Sequence, residues 1–499
     1  MASVVLAIDQ GTTSTRAALY DAAGQCLGQA AHEITQYYPR TGWVEHDPAE
    51  IWGSVADTVT RALAEARLTP PSIAAIGITN QRETVVLWER ASGRPVARAI
   101  VWQDRRTTDF CRQHHEREAW INERTGLMLD PYFSATKITW LLNQQNQWRQ
   151  RAEAGELAAG TVDSYLVALL TGRQVHATDL TNASRTLLLN LESGRWDREL
   201  CEFFGVPMSI LPEVRPSSAD YGLTRGLRFL PDGIPIRGVA GDQQAALFGQ
   251  RGFRSGDAKC TYGTGAFFLL HTGSRIVRSQ HRLVSTFAAT LDGEPQYALE
   301  GSVFIAGAAV QWLRDKLHVL ESANAMERMV ERSDMDQPVI FVPALVGMGA
   351  PYWVPEARGV IFGLSRGTTP AELARAVLEG VACQVADLVE SAAADVNTAV
   401  PLLRADGGMA RNGWFLQHQA DMLGIPVACA ANPESTSQGA AYLAGLGVGF
   451  WKDQQSLLDL PSAIRSFEPR MPFDERARLR RRWKRAVQTV IDFYRHVEA

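Results

Sequence analysis

Val4-Val5-Leu6-Ala7-Ile8-Asp9-Gln10-Gly11-Thr12-Thr13-Ser14-Thr15-Arg16 takes the chain from an apolar run into a carboxylate, a glycine and a row of hydroxyls. The spacing predicts strand, tight turn, strand. Glycine lets the backbone approach a ligand closely, and exposed N–H groups beside threonine hydroxyls suit phosphate oxygens. The pattern returns past the middle of the chain, where Lys259-Cys260-Thr261-Tyr262 runs into Gly263-Thr264-Gly265-Ala266. One such turn in each half predicts a duplicated α/β architecture that grips one polyphosphate from two sides.

The duplication has a second echo. Asp47-Pro48-Ala49-Glu50 and Thr369-Pro370-Ala371-Glu372 each read as a helix start, with a capping side chain, proline at the first helical position and a glutamate placed to complete a capping box. Residues 4–30 read as three short strands. The first helix should bury Ile51, Trp52, Val55, Val59 and Leu63. Strands follow at 73–79 and 84–88. In the second half, 266–270 and 284–288 read as strands, and the helix after Thr369 should turn Ala374, Val377, Leu378, Val381, Val385 and Leu388 inward. The seam is expected near 247–255, dividing the chain into 1–249 and 250–499. The basic tail, with Arg476, Arg478, Arg480, Arg481 and Arg482, keeps Leu479, Trp483, Val487, Val490 and Tyr494 at helical spacing. It reads as a docked terminal helix with a solvated face.

The totals set bounds. A chain of 499 residues is expected to form two or three domains. With 46% hydrophobic and 21% charged residues it has a globular composition, and a net charge of −4 argues against a general nucleic-acid binder. No apolar run approaches the roughly 18 residues needed to cross a bilayer. Met-Ala-Ser-Val-Val has no basic region ahead of an apolar stretch, so no secretory signal is expected. The six cysteines have no metal-ligand spacing. Reduced thiols and a cytoplasmic setting are the expectation.

Several groups offer chemistry, each with a plainer alternative. Asp9 either holds Mg²⁺ against phosphates, usually through waters, or caps its own turn. Asp242, between the strand-like 236–240 and a helix start, is either a general base for a hydroxyl or an N-cap. Gln243 beside it could bind a substrate hydroxyl. Asp406-Gly407-Gly408-Met409-Ala410-Arg411-Asn412 either cradles a nucleotide or only turns the chain. Arg82 and Glu83, between two apolar strands, form either a solvated surface pair or a polyol clamp of guanidinium donors and carboxylate acceptors. Trp102 and Phe267 are either core or pocket walls.

Together these pieces resemble the FGGY family of carbohydrate kinases, over nearly the whole chain. The most specific matches are Asp9-Gln-Gly-Thr-Thr-Ser14, Gly42-Trp-Val-Glu-His-Asp-Pro48, Ile76-Gly-Ile-Thr-Asn-Gln-Arg-Glu-Thr84, Asp130-Pro-Tyr-Phe-Ser134, Ala240-Gly-Asp-Gln-Gln-Ala-Ala-Leu-Phe-Gly249, Tyr262-Gly-Thr-Gly265 and Gly349-Ala-Pro-Tyr-Trp353. The family's lysine-tryptophan pattern appears as Tyr132-Phe-Ser-Ala-Thr-Lys137-Ile-Thr-Trp140. The Asn-Gln-Arg-Glu-Thr segment looks like that of the glycerol-phosphorylating members.

The resemblance implies two duplicated actin-like ATPase (ribonuclease H-like) domains around a deep cleft. It implies ATP-dependent phosphorylation of glycerol, with Mg²⁺ near Asp9 and Asp242. The glycerol pocket would be Arg82, Glu83, Trp102, Tyr132, Asp242, Gln243 and Phe267, with Asp242 as base. Nucleotide contacts would come from Thr12, Thr13, Ser14, Arg16, Thr264, Gly307, Gln311, Gly408 and Asn412. A homo-oligomer, dimer or tetramer, is the family expectation. Some members bind an inhibitory sugar bisphosphate through a Gly-Gly-Thr-Arg run, which the 224–233 stretch lacks. The readings left open are another sugar kinase of the same family and an actin-like or chaperone-like ATPase.

Overall fold

The computed structural model describes residues 3–291, 293–322, 325–333, 339–430 and 434–495. Two sheets carry the fold. The first has five strands in the order Ile236–Gly241, Ile73–Asn80, Val4–Gln10, Ser14–Tyr20, Cys26–Glu33. The last three form an antiparallel meander, and the first two lie parallel to Val4–Gln10 on its other side. Val4 to Ile8 are fully buried, as a central strand covered on both faces requires.

The second sheet repeats this plan. Ala258–Tyr262, Ala266–Gly273 and Tyr297–Val303 form the meander. Leu403–Asp406 and then Val427–Ala430 continue in parallel on the other side. Val284–Phe287 and Ile464–Phe467 add an antiparallel strand at each edge. The duplication read from the two glycine turns is therefore present in the strand order.

Helix starts follow the capping chemistry, with one difference. The helix Pro48–Ala66 begins as expected, with Asp47 accepting from Ala49 N at 2.8 Å. Glu50 completes no box there. It accepts instead from Thr35 N and Thr35 Oγ1, both at 2.8 Å, because a neighbouring strand end offers two donors at once. In the 27-residue helix Pro370–Val396 the box does form between Thr369 and Glu372, and all six expected inward residues are buried.

The terminal helix Phe473–Arg495 docks through Trp483, Val487 and Val490. Its basic face is not wholly solvated, contrary to expectation. Arg480 is buried, donating to Asp387 Oδ1 at 2.5 Å, Cys383 O at 2.9 Å and Glu390 Oε1 at 3.1 Å. A buried guanidinium is tolerated because each side of it meets an acceptor.

One late helix sits far from its place in the chain order. Ser435–Gly447 lies against the first sheet, where Ala440, Ala441, Leu443 and Ala444 cluster with Val5, Ala7, Ala75 and Ala240. Glycines make the approach possible. A Cβ on Gly238 would stand 2.6 Å from Ala444 N, and one on Gly439 would strike the carbonyl of Ala245 in the helix Asp242–Gly249.

Candidate active site

Three parallel neighbours, Val4–Gln10, Ile73–Asn80 and Ile236–Gly241, end at one edge of the first sheet. Their carboxyl ends deliver Asp9, the pair Arg82-Glu83, and Asp242 to one place. Loops at such an edge form the usual ligand crevice of open α/β sheets. Gln81 ties two of the ends together: its N–H donates to Gln10 O at 2.7 Å and its Nε2 to Gly11 O at 3.1 Å. Glu83 has a φ of 60°, a left-handed backbone that costs a non-glycine residue energy and is commonly found at functional sites.

Asp242 is the first residue of its helix, the N-cap position being Gly241. Its carboxylate accepts from Gln243 N at 2.8 Å and from Gln243 Nε2 at 3.1 Å, and Arg82 Nε lies 3.2 Å from its Oδ1. Gln243 is thus engaged in bracing Asp242. Its own carbonyl accepts from the buried Lys259, which also donates to Thr261 Oγ1 at 2.8 Å. Burial holds the Lys259 ammonium below the usual lysine range, while Asp406 and Asp242 oppose that shift.

Arg82 and Glu83 are not a solvated surface pair. They are 3% and 1% exposed. Arg82 makes a two-point pair with Glu300, at 2.5 and 2.9 Å, and donates to Gln244 Oε1 at 3.2 Å. Glu83 accepts from Arg185 Nε at 2.6 Å. Burial would depress the Arg82 guanidinium, but Glu300 and Glu83 hold it well above its ordinary value. Burial raises Glu83 against the pull of Arg185 and Arg82. Burial would raise Glu300 too, yet the two arginines hold it at about 2.

Aromatic rings stand nearby. Trp102 meets Tyr132 edge-on at 5.6 Å and Phe267 at 6.1 Å. Phe267 comes from the second sheet, so this wall joins both halves. The indole N–H of Trp102 donates to Thr12 Oγ1 at 2.9 Å, which links the wall to the first glycine turn. Lys137 secures the loop under Tyr132 by donating to the carbonyls of Pro131, Tyr132 and Phe133 at 2.5, 2.7 and 3.1 Å.

The second-half residues converge. Thr264, Gly307, Gln311, Gly408 and Asn412 all line one cavity of about 510 Å³, with Arg314, Met409 and Arg411. Two parallel strands again explain the meeting, because Ala258–Tyr262 and Leu403–Asp406 release their turns at the same edge. Gly307 and Gln311 fall on the helix Gly307–Asp315 as expected. Gly407 has φ of 88°, with the Tyr262 carbonyl where a Cβ would be. Asn412 spends its side-chain oxygen on Phe415 N, at 2.8 Å, as the N-cap of Gly413–Leu423.

Of the first-half nucleotide candidates, Thr13 and Arg16 are exposed, and Thr12 and Ser14 partly so. Arg16 pairs with Glu434, at 2.9 Å, across 418 positions. Burial pushes Asp9 up to about 7; Asp242 and Glu434 push the same way and Arg16 opposes them. Among the described residues no three His, Cys, Asp or Glu side chains gather as a metal cluster. Two carboxylates beside a phosphate site are nonetheless the usual protein share for Mg²⁺, which keeps several waters. A buried carboxylate so raised gains from a cation, so the residues present fit that ion.

Sequence reading missed three charged groups here: Arg185, Lys259 and Glu300. Lys259 and Glu300 are lone charges inside buried strands, which was the available signal, whereas Arg185 lies in a buried turn among polar residues and carried none.

The comparisons agree with this geometry. Residues 4–249 match the N-terminal domain, and residues 258–448 the C-terminal domain, of the FGGY family of carbohydrate kinases. The fold is the duplicated actin-like α/β fold, and the chain belongs to the FGGY family of carbohydrate kinases. It is 50% identical to a glycerol kinase of Myxococcus xanthus over 491 residues, 98% of this chain and 99% of that one. A glycerol kinase of Deinococcus radiodurans is also 50% identical, over 99% of both chains. Among solved structures, Plasmodium falciparum glycerol kinase with ADP superposes with a TM-score of 0.90 at 35% identity, covering 98% of each chain.

Proposed function

We propose that this protein transfers the γ-phosphoryl group of ATP to a primary hydroxyl of glycerol, giving sn-glycerol 3-phosphate and ADP. The observation that carries the reading is the junction of Asp242 with Arg82, where a carboxylate able to take a proton meets a guanidinium able to bind a hydroxyl. The glycerol kinases among the relatives support the choice of acceptor.

The residues divide the work. Arg82, Glu83 and Asp242 bind and orient the hydroxyls, with Trp102, Tyr132 and Phe267 against the carbon skeleton. Gln243 braces Asp242. Thr12, Thr13, Ser14 and Arg16 face the phosphates from one side and Thr264 from the other. Gly307, Gln311, Gly408 and Asn412 line the nucleotide cavity. The acceptor oxygen bonds to the γ-phosphorus, the bond to the β-phosphate oxygen breaks, and the hydroxyl proton passes to Asp242. Asp9 and Asp242 would hold Mg²⁺, which when bound offsets phosphate charge. Closure of the two halves, 1–249 and 250–499, excludes water and spares ATP from hydrolysis. A cytoplasmic setting and assembly into dimers or tetramers belong to the same reading.

ADP release measured with glycerol, xylulose, gluconate or no acceptor tests it. Glycerol should dominate. A preference for a five- or six-carbon acceptor would assign the protein to another branch of the family. Equal release without acceptor would make it an ATPase.

A further inference from the structure

Five charged side chains form one alternating chain through the molecule. Asp242 Oδ1 lies 3.2 Å from Arg82 Nε, and Arg82 grips both oxygens of Glu300. Glu300 Oε1 also accepts from Arg185 Nη2 at 3.0 Å. Arg185 Nε then donates to Glu83 Oε1 at 2.6 Å. The side chains of Arg82, Glu83, Arg185 and Glu300 are at most 2% exposed, whereas Asp242 is 29% exposed. The four buried groups are two cations and two anions, so the charge closes. Each one removed leaves a neighbour buried without its partner, which is strongly unfavourable.

The chain returns on itself: Arg82 and Glu83 are adjacent in sequence and are its two inner hydroxyl-binding groups. Arg185 takes one oxygen of Glu83 and leaves the other. Glu300 takes one N–H from Arg82 Nη2 and leaves its second. What remains is one fixed donor beside one fixed acceptor, the complement of two neighbouring hydroxyls. Glu300 is also the only one of the five that lies in the second sheet, on Tyr297–Val303.

We infer that Glu300, supported by Arg185, is a positioning residue that sets acceptor specificity by holding Arg82 and Glu83 in register for a vicinal diol. The inference rests on the proposed acceptor-kinase reading and deepens it. Glu300 touches no substrate. It acts by preventing the Arg82 fork from turning and by keeping Arg185 against Glu83. Preorganised polar groups of this kind favour the acceptor that satisfies both over one that satisfies a single group.

The test is steady-state kinetics of Glu300→Gln and Glu300→Asp with glycerol and MgATP varied separately. Gln keeps the shape and removes the charge; Asp keeps the charge and shortens the reach. Loss of a charge-assisted contact predicts a glycerol KM raised at least ~10-fold, Gln more than Asp, with the ATP KM within about twofold of wild type. Should the Gln variant not fold, the Asp variant carries the same comparison. An unchanged glycerol KM overturns the inference. Equal rises in both KM values with a lowered Tm also overturn it, since a merely structural residue would behave so. Wild-type turnover on glycerol judges the underlying reading separately: without it that reading falls, whatever the variants do.

Discussion

Arg82 Nε stands 3.2 Å from Asp242 Oδ1, joining side chains from the ends of two adjacent parallel strands. The guanidinium fixes where the carboxylate points, and Gln243 holds its other oxygen. Position and proton acceptance are therefore separable. Asp242→Asn keeps the size and loses the acceptor. Turnover should fall at least ~10²-fold, the low end for a general base, while glycerol and ATP still bind. Single-turnover ADP formation checks this, and a near-normal rate removes Asp242 from the role.

Gly307 offers a test confined to the nucleotide side. Its N–H donates to Gly263 O at 2.9 Å, and an added Cβ would stand 2.6 Å from that same oxygen. Gly307→Ala should push the second glycine turn out of place. The ATP KM should rise at least ~10-fold, because aligned phosphate donors are lost, with the glycerol KM little changed. Calorimetric titration of ADP into the variant reads the effect directly. Wild-type affinity would mean that the turn absorbs the methyl group without consequence.

A pH effect on stability is expected from Asp163, which is buried and accepts from Thr161 Oγ1 at 2.5 Å and Thr178 Oγ1 at 2.6 Å. Burial, seconded by the Asp179 carboxylate, pushes Asp163 up to about 7. An unfolded aspartate titrates near ~3.9. Between those values the folded protein holds a proton that the unfolded chain has released. Its contribution to stability therefore falls as pH rises from about 4 to about 7 and is level above. Asp163→Asn has no such slope. Urea midpoints from acid to neutral pH should show the variant gaining on wild type across that window, and parallel curves would place the titration elsewhere.

The 224–233 loop bears on regulation. Gly226 N donates to Asp232 Oδ1 at 2.7 Å, and Thr224 Oγ1 donates to Pro231 O at 2.7 Å. The loop's own carboxylate thus occupies an amide that a phosphate would need, and Pro231 offers no N–H at all. Millimolar fructose 1,6-bisphosphate should inhibit little. A titration at fixed glycerol and MgATP suffices, and saturable inhibition would show that Arg225 and Arg228 compensate.

Much of this was legible because glycine and burial leave strong marks. Both glycine turns, the three opening strands and the inward face of Pro370–Val396 follow from local spacing. So does the grouping of Gly307 with Gln311 on one helix face. Pairing across long separations left no local mark. Glu300 meets Arg82 over 218 positions, and nothing near either residue names the other. Glu50 shows the same limit at short range: its position promised a capping box, and Thr35, just past the end of the strand Cys26–Glu33, displaced the helix's own N–H. Arg480, one of five basic residues alike in sequence, is singled out by Asp387, Cys383 and Glu390 across the helix contact.

The placement of Ser435–Gly447 has a consequence for biosynthesis. The first sheet is complete in sequence once Gly241 has been made, yet the helix that covers one of its apolar faces comes about two hundred residues later. At roughly 5–20 residues per second, that face waits on the order of 10–40 s at the ribosome. During that interval the nascent first half presents Val5, Ala7, Ala75 and Ala240 without their eventual alanine-rich cover. The first half's alanine-lined face therefore receives its own cover only once the second half has been made.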